Sequence, residues 1–189
     1  ENEKERLPAY LKACPDKVKK WSQKIDHLAQ GRFKIGIAWY TITNQRRTIN
    51  LSEWLPLLAE KNIMFFNLQY PPTQKQLEQL KQYTNITIHD LGVDQYDDID
   101  DMAAITKSLD MVISSQNSIV HLAGALGVPT WVLLPYGSDW RWEIESERMR
   151  WYRSVKMFRQ TSWNNWTNVI HRVRKHLLSM PPLTIKSLS

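Results

Sequence analysis

The sequence predicts an α/β protein, a Rossmann-like, doubly wound and mostly parallel sheet with helices on both faces. Three observations carry that expectation. From residue 33 onward, short apolar runs alternate with amphipathic stretches at the spacing of βαβ units with right-handed crossovers. The runs MVIS (111–114) and TWVLL (130–134) are near-continuous rather than alternating, as strands covered on both faces require. The 189 residues, 42% hydrophobic and 23% charged, are enough for a sizeable core.

Taken in order, residues 1–31 are expected to form a helical arm of two short helices. Leu7, Tyr10 and Leu11, then Val18, Trp21, Ile25 and Leu28, recur at helical steps. Pro15-Asp16 opens the second helix, and Gly31 stands where it should end. The main domain is expected over 32–180. FKIGIAW (33–39) is its first strand, followed by the polar loop TITNQRRTIN (41–50) and a helix over 52–60. IMFFNLQ (63–69) is a second strand, Pro71-Pro72 a break, and 74–83 a helix. ITIHDLG (86–92) is a third, shorter strand, with a helix over 100–108. DMVISS (110–115), a helix over 118–126 and PTWVLLP (129–135) continue the alternation. SVKMFRQ (154–160) is the last strand, before an amphipathic helix over 163–178 with Val169, Val173 and Leu177 on one face. Residues 181–189 read as a tail.

Composition narrows the function. No run approaches about 20 apolar residues, which excludes a transmembrane helix. The single cysteine, Cys14, excludes an intramolecular disulfide, and no Cys/His spacing points to a metal. The chain opens at Glu1 without a signal-peptide core, as expected of a cytoplasmic protein or a piece of a larger one. Its net charge of +6 is unevenly spread, with an acidic block over 90–101 and a basic stretch over 141–175. A nucleic-acid reader more often shows a basic stripe without such a block, so nucleic acid ranks last among the partners.

Open α/β sheets bind ligands beyond the carboxyl ends of their strands, where the strand order reverses. For an order of 3-2-1-4-5-6, that crevice lies between the loops 40–48 and 114–118. The second loop is the more informative. Ser115-Gln116-Asn117-Ser118 leads from a buried strand into a helix whose free N–H groups and positive end favour an anion. Asn117 is the expected N-cap, and His121 lies one turn on. Gly124 and Gly127 are expected to let that helix approach the sheet and then stop. Plainer readings stay open: capping alone for Ser and Asn, a structural histidine at 121, and a solvated loop at Arg46-Arg47. No GxGxxG follows the first strand, since Gly36 is inside it, and no Walker lysine loop is present. Both absences argue against NAD and P-loop ATP chemistry. Trp54, Trp131, Trp163 and Trp166 fall at core-facing spacings. Trp140 and Trp142 follow the loop 135–138, of the kind that closes on ligands.

DMAAI (101–105), LDMVIS (109–114) and HLAGALGVPTWVLLP (121–135) together resemble one family, as do DWRW (139–142), WY (151–152) and FRQ (158–160). Upstream, GIAW (36–39), RRTI (46–49), LPLL (55–58) and NLQ (67–69) continue the pattern. The chain resembles the C-terminal domain of heptosyltransferase-like GT-B glycosyltransferases, in the bacterial branch associated with tetratricopeptide repeats. The resemblance implies a nucleotide-sugar donor, held as substrate with no cofactor, at Ser115, Gln116, Asn117, Ser118 and His121. Trp39, Arg47 and Gln69 would complete the site on the opposite wall, with Asp139 and Trp140 near the sugar or the domain cleft. Helix N–H groups, Arg47 and a protonated His121 would stabilise the departing nucleoside diphosphate without a metal. The family usually has Asp-Thr or Asp-Ser where this chain has Gln116-Asn117. The acceptor half, which would take a glycan, lipid-linked or protein acceptor and supply the catalytic base, is not in these residues. The expected function is therefore donor binding for a bacterial glycosyltransferase acting in the cytoplasm or peripherally at the inner membrane. The alternative is a catalytically inactive GT-B-like scaffold.

Overall fold

The computed structural model describes residues 8–41, 44–70, 74–94, 96–143 and 146–180; Leu7, the Pro71-Pro72 break and the tail 181–189 lie outside them. The elements are α1 (Pro15–Ala29), β1 (Phe33–Ala38), α2 (Leu51–Leu58), β2 (Ile63–Asn67), α3 (Gln74–Thr84), β3 (Ile88–His89), α4 (Ile99–Lys107), β4 (Met111–Ser115), α5 (Ser118–Ala125), β5 (Thr130–Leu134), β6 (Val155–Arg159) and α6 (Trp166–Leu178). Single 3₁₀ turns occur at Gln45–Arg47 and Trp140–Trp142. The strands lie in the order β3-β2-β1-β4-β5-β6, and every pairing is parallel. This is the doubly wound order expected, with its reversal between β1 and β4.

The pleat sorts the apolar residues into two layers. Ile35, Ile37, Phe65, Met111, Ile113, Trp131 and Leu133 face Trp54 and Leu57 of α2 and Val169, Val173 and Leu177 of α6. Ala38, Met64, Phe66 and Val112 face the other way, against Trp21 and Ile25 of α1, Met102 and Ile105 of α4 and Ile119 and Ala123 of α5. Alternate residues of one strand thus serve opposite cores, which is why these strands read as continuous apolar runs. Beside β5 and β6, a third cluster gathers Val132, Leu134, Met157, Val120, Trp142 and Tyr152.

Four local expectations are corrected. Residues 8–14 hold no helix; instead Tyr10 and Leu11 donate their N–H groups to Ala125 O at 2.9 and 3.0 Å. Pro15 explains the break, because it drives Cys14 to an extended ψ of 121° and a helix cannot run through it. The third strand shrinks to two residues, because Asp90 Oδ1 accepts from Gly92 N and turns the chain away. The last helix starts at Trp166, where Asn165 accepts from Asn168 N at 3.0 Å, so Trp163 falls outside it and is 57% exposed. Gly124 faces Tyr152 rather than the sheet, while Gly127, at φ +71°, does end its helix.

Candidate functional site

At the switch point, the loops after β1 and β4 diverge and leave a polar cleft of about 350 Å³. Tyr40, Thr41, Arg47, Tyr70, Gln116, Asn117, Ser118, His121, Arg141 and Trp142 line it. The N-terminus of α5 forms part of its wall, and the first N–H groups of a helix have no partner within the helix. Arg47 is delivered by the 3₁₀ turn Gln45–Arg47, which Asn44 caps by accepting from Arg46 N at 3.0 Å. Arg141 is delivered by the second 3₁₀ turn, capped by Asp139, whose Oδ1 accepts from Arg141 N at 3.1 Å.

Asp139 ties the cleft together. Its Oδ2 accepts from Gln116 Nε2 at 2.7 Å, Arg141 Nη2 at 2.9 Å and Arg47 Nη2 at 3.1 Å. Burial pushes its carboxyl up, but the hydrogen bonds and charge of Arg141, and then the charge of Arg47, outweigh it and hold the pKa below the usual carboxylate value. One carboxylate therefore joins the loops after β1, β4 and β5.

The sequence-expected residues separate into three groups. Arg47, Gln116, Asn117, Ser118 and His121 come together on the cleft, and Asp139 joins them through its bonds. Ser115 lies beneath, fully buried, and its Oγ has no partner among the described residues; the same holds for Gln116 Oε1. Trp39 and Gln69 are interior. The Trp39 ring is in the core, its Nε1 donating to Gln76 Oε1 at 2.9 Å. Gln69 Oε1 accepts from the N–H groups of Trp39 and Tyr40 at 2.8 and 2.7 Å, while its Nε2 donates to the carbonyls of Tyr40 and Tyr70. Its amide is thus spent on fixing Tyr40 and Tyr70, which line the cleft. Trp140 stands outside, 77% exposed, edge-on to Trp151 with Arg141 over its ring.

Two expectations about chemistry change. Asn117 occupies the N-cap position but makes no side-chain cap bond, because its Oδ1 accepts from Ser114 Oγ at 2.9 Å. His121 is not poised to be protonated. Burial, then the nearby Arg141, push its pKa below the usual 6.5, with Asp139 opposing, so the ring is neutral at neutral pH. Arg141, Tyr40 and Tyr70 were not legible as site residues. The only signal for Arg141 is its place two residues after Asp139, the spacing of a capped turn. Among the described residues no group of three or more His, Cys, Asp or Glu is placed to hold a metal, and no helix is long and apolar enough to cross a membrane.

Comparison with known proteins adds to this geometry. No family profile matches the chain. Protein FlbA of Caulobacter vibrioides is 31% identical over 170 residues, which cover 87% of this chain and 28% of FlbA. Among solved structures, E. coli ADP-heptose LPS heptosyltransferase II superposes with a TM-score of 0.66 at 12% identity, covering 89% of this chain and 52% of that one. The E. coli heptosyltransferase WaaC with ADP-2-deoxy-2-fluoro heptose gives 0.57 at 12% identity, over 85% and 47%. A glycosyl transferase family 9 protein of Veillonella parvula gives 0.53 at 11% identity, over 94% and 47%. The chain thus spans little over a quarter of FlbA and about half of each glycosyltransferase. These likenesses show the fold, a Rossmann-like domain of the GT-B glycosyltransferase type with an N-terminal helix.

Proposed function

We propose that this domain holds the nucleoside diphosphate of a sugar donor and serves a bacterial glycosyltransferase whose acceptor site lies in a second Rossmann half. The observation that carries the reading is the meeting of Arg47, Arg141 and the amino end of α5 on one cleft at the sheet's switch point. A nucleoside diphosphate gains negative charge as it leaves the sugar. Two guanidiniums, unspent helix N–H groups and an imidazole N–H are the donors that stabilise such charge. Beside the amino end of α5, a second cavity of about 210 Å³ bounded by Leu68, Tyr70, Tyr96, Met102 and Leu122 shares Asn117 and Ser118 with the cleft. Its mostly apolar lining suits a nucleobase next to the diphosphate. The transfer itself requires a base to deprotonate the acceptor hydroxyl, and that group is assigned to the second half. In this reading, cytoplasmic nucleotide sugars are the donors, and the wider protein is of the tetratricopeptide-associated kind.

Calorimetry with ADP, UDP, GDP and their sugars tests the proposal. Weak binding to one of these nucleotides, lowered about tenfold or more by Arg47→Ala, is the expected result. The domain alone should turn over no sugar. A scaffold role has its own supporting observation, since Asp139 already neutralises part of the charge of both arginines. Absence of binding to all three nucleotides at millimolar concentration would favour it.

A further inference from the structure

The segment 8–14, the loop before β6 and α5 meet beneath His121 at a point where the donor-binding reading assigns no role. Tyr152 is buried there over Gly124, and a Cβ on Gly124 would lie 2.6 Å from the Tyr152 Cγ. The missing side chain is what lets the phenol lie on the helix, three residues from His121. The Tyr152 hydroxyl is 3.4 Å from His121 Nδ1 and 3.4 Å from the hydroxyl of Tyr10. Tyr10 is itself anchored through its N–H to Ala125 O at 2.9 Å. The rings of Trp142, Trp151 and Tyr152 stand 5.5, 6.1 and 5.9 Å from the imidazole and box it in. His121 lines the cleft, whereas Tyr152 does not. With Nδ1 turned to Tyr152, the edge left for the cleft carries Nε2, which has no hydrogen-bond partner among the described residues.

We infer that Tyr152, aligned by Tyr10, is a positioning residue whose hydroxyl donates to His121 Nδ1 and fixes the neutral ring as the Nε2–H tautomer, an uncharged donor aimed at an anion in the cleft. The inference rests on the donor-binding reading for the identity of that anion, not for the tautomer. A phenol is a stronger acid than a neutral imidazole N–H, and an imidazole lone pair is a stronger base than a phenol oxygen. The O–H to N direction is therefore favoured. Burial pushes the Tyr152 phenol well above its usual pKa, so the hydroxyl keeps its proton. The charged groups acting on the imidazole are Arg141, which lowers its pKa, and Asp139, which raises it; the flanking tryptophans carry no charge. The proton on a neutral histidine is placed by the bond its other nitrogen makes, and here that bond comes from a tyrosine.

Tyr152→Phe removes the hydroxyl and keeps the ring that covers Gly124. Long-range proton–nitrogen correlation spectra of the histidine-labelled chain, with His121→Gln used for assignment, read the tautomer without any ligand. The unaltered chain should show a bare Nδ1 and a protonated Nε2 at His121, and Tyr152→Phe should give a mixture. Tyr10→Phe should move the spectrum part of the way. A protonated Nδ1 in the unaltered chain, or a pattern indifferent to Tyr152→Phe, overturns the inference. On the same proteins, ADP affinity should fall by about 3- to 10-fold in Tyr152→Phe. A tautomer that depends on Tyr152 in a chain that takes up no ADP leaves the positioning intact and removes the nucleotide. ADP binding with a tautomer independent of Tyr152 does the reverse.

Discussion

Gly36, in the middle of the central strand, is a position where one methyl group should be felt. A Cβ built there lies 2.3 Å from Leu68 Cδ1, 2.9 Å from Leu68 Cγ and 2.7 Å from Leu109 Cδ1. Carbon atoms ordinarily rest about 3.5–4.0 Å apart, so the overlap with Leu68 is more than about 1 Å. Leu68 is 2% exposed and Leu109 6%, and the Leu68 backbone is pinned by its N–H to Ile37 O at 2.9 Å. Leu68 must leave its rotamer or the strand must shift. Overpacking of this kind costs about 1–3 kcal/mol, offset by about 0.5–1 kcal/mol because alanine restricts the unfolded chain more than glycine. Gly36→Ala should therefore lose about 1–2 kcal/mol in urea unfolding, or roughly 2–8 °C of melting temperature for a domain of this size. Leu68→Ala alone should cost about 2–5 kcal/mol through the cavity it opens. In the double variant the new methyl group enters that cavity, so the combined loss should fall short of the sum by about 1 kcal/mol or more. Strict additivity, or a Gly36→Ala protein as stable as its parent, would show that the contact does not exist.

Two further predictions concern the cleft and the tryptophans. Because the folded Asp139 has a lowered pKa, its contribution is complete above the unfolded carboxylate value near 3.9 and fades as pH falls through the folded one. Asp139→Asn should thus cost about 1 kcal/mol at neutral pH, and the difference should vanish in urea titrations run well below pH 4. Trp54→Ala should lose about 3–5 kcal/mol, since the ring is fully buried in the α2 layer. Trp163→Ala should lose under about 1 kcal/mol, since that ring is largely exposed, with Tyr136 and Arg46 beside it. Equal losses in the two tryptophan variants would refute the placement of Trp163.

Sequence pattern reached the fold because burial on both faces of a parallel sheet writes itself into consecutive residues. Trp131 and Leu133 serve one core while Val132 and Leu134 serve another, and the run TWVLL records both at once. Strand order entered the reading only as a condition for locating the crevice, because handedness limits the crossovers without fixing which strands are neighbours; the fold has the order supposed. What escaped was set by competition over single residues. Helical spacing at Tyr10 and Leu11 was overruled by Pro15, and the spacing at Trp163 by the capping power of Asn165. Both overrides lie at helix starts, where one hydrogen bond or one missing N–H outweighs a weak periodicity.

The candidate cleft was legible where its lining is contiguous and obscure where it is not. Residues 115–118 and His121 come from one strand–helix turn and could be read together. The bond between Arg47 and Asp139 spans 92 positions, and nothing local marks it. That unseen pair changes the electrostatic argument. Read singly, Arg47 is a free cation waiting for a phosphate; in the fold, one carboxylate balances one of the two charges that Arg47 and Arg141 bring. In the proposed donor site a diphosphate would have to share or displace Asp139, so net guanidinium charge would contribute less than a count of arginines implies. The proposed balance shifts toward donors that no acceptor among the described residues holds: the amino-terminal N–H groups of α5 and the cleft edge of His121. These are short-range and directional, and they act only on an anion seated at the helix end. Affinity carried by such groups should depend on ionic strength less steeply than affinity carried by two unpaired arginines.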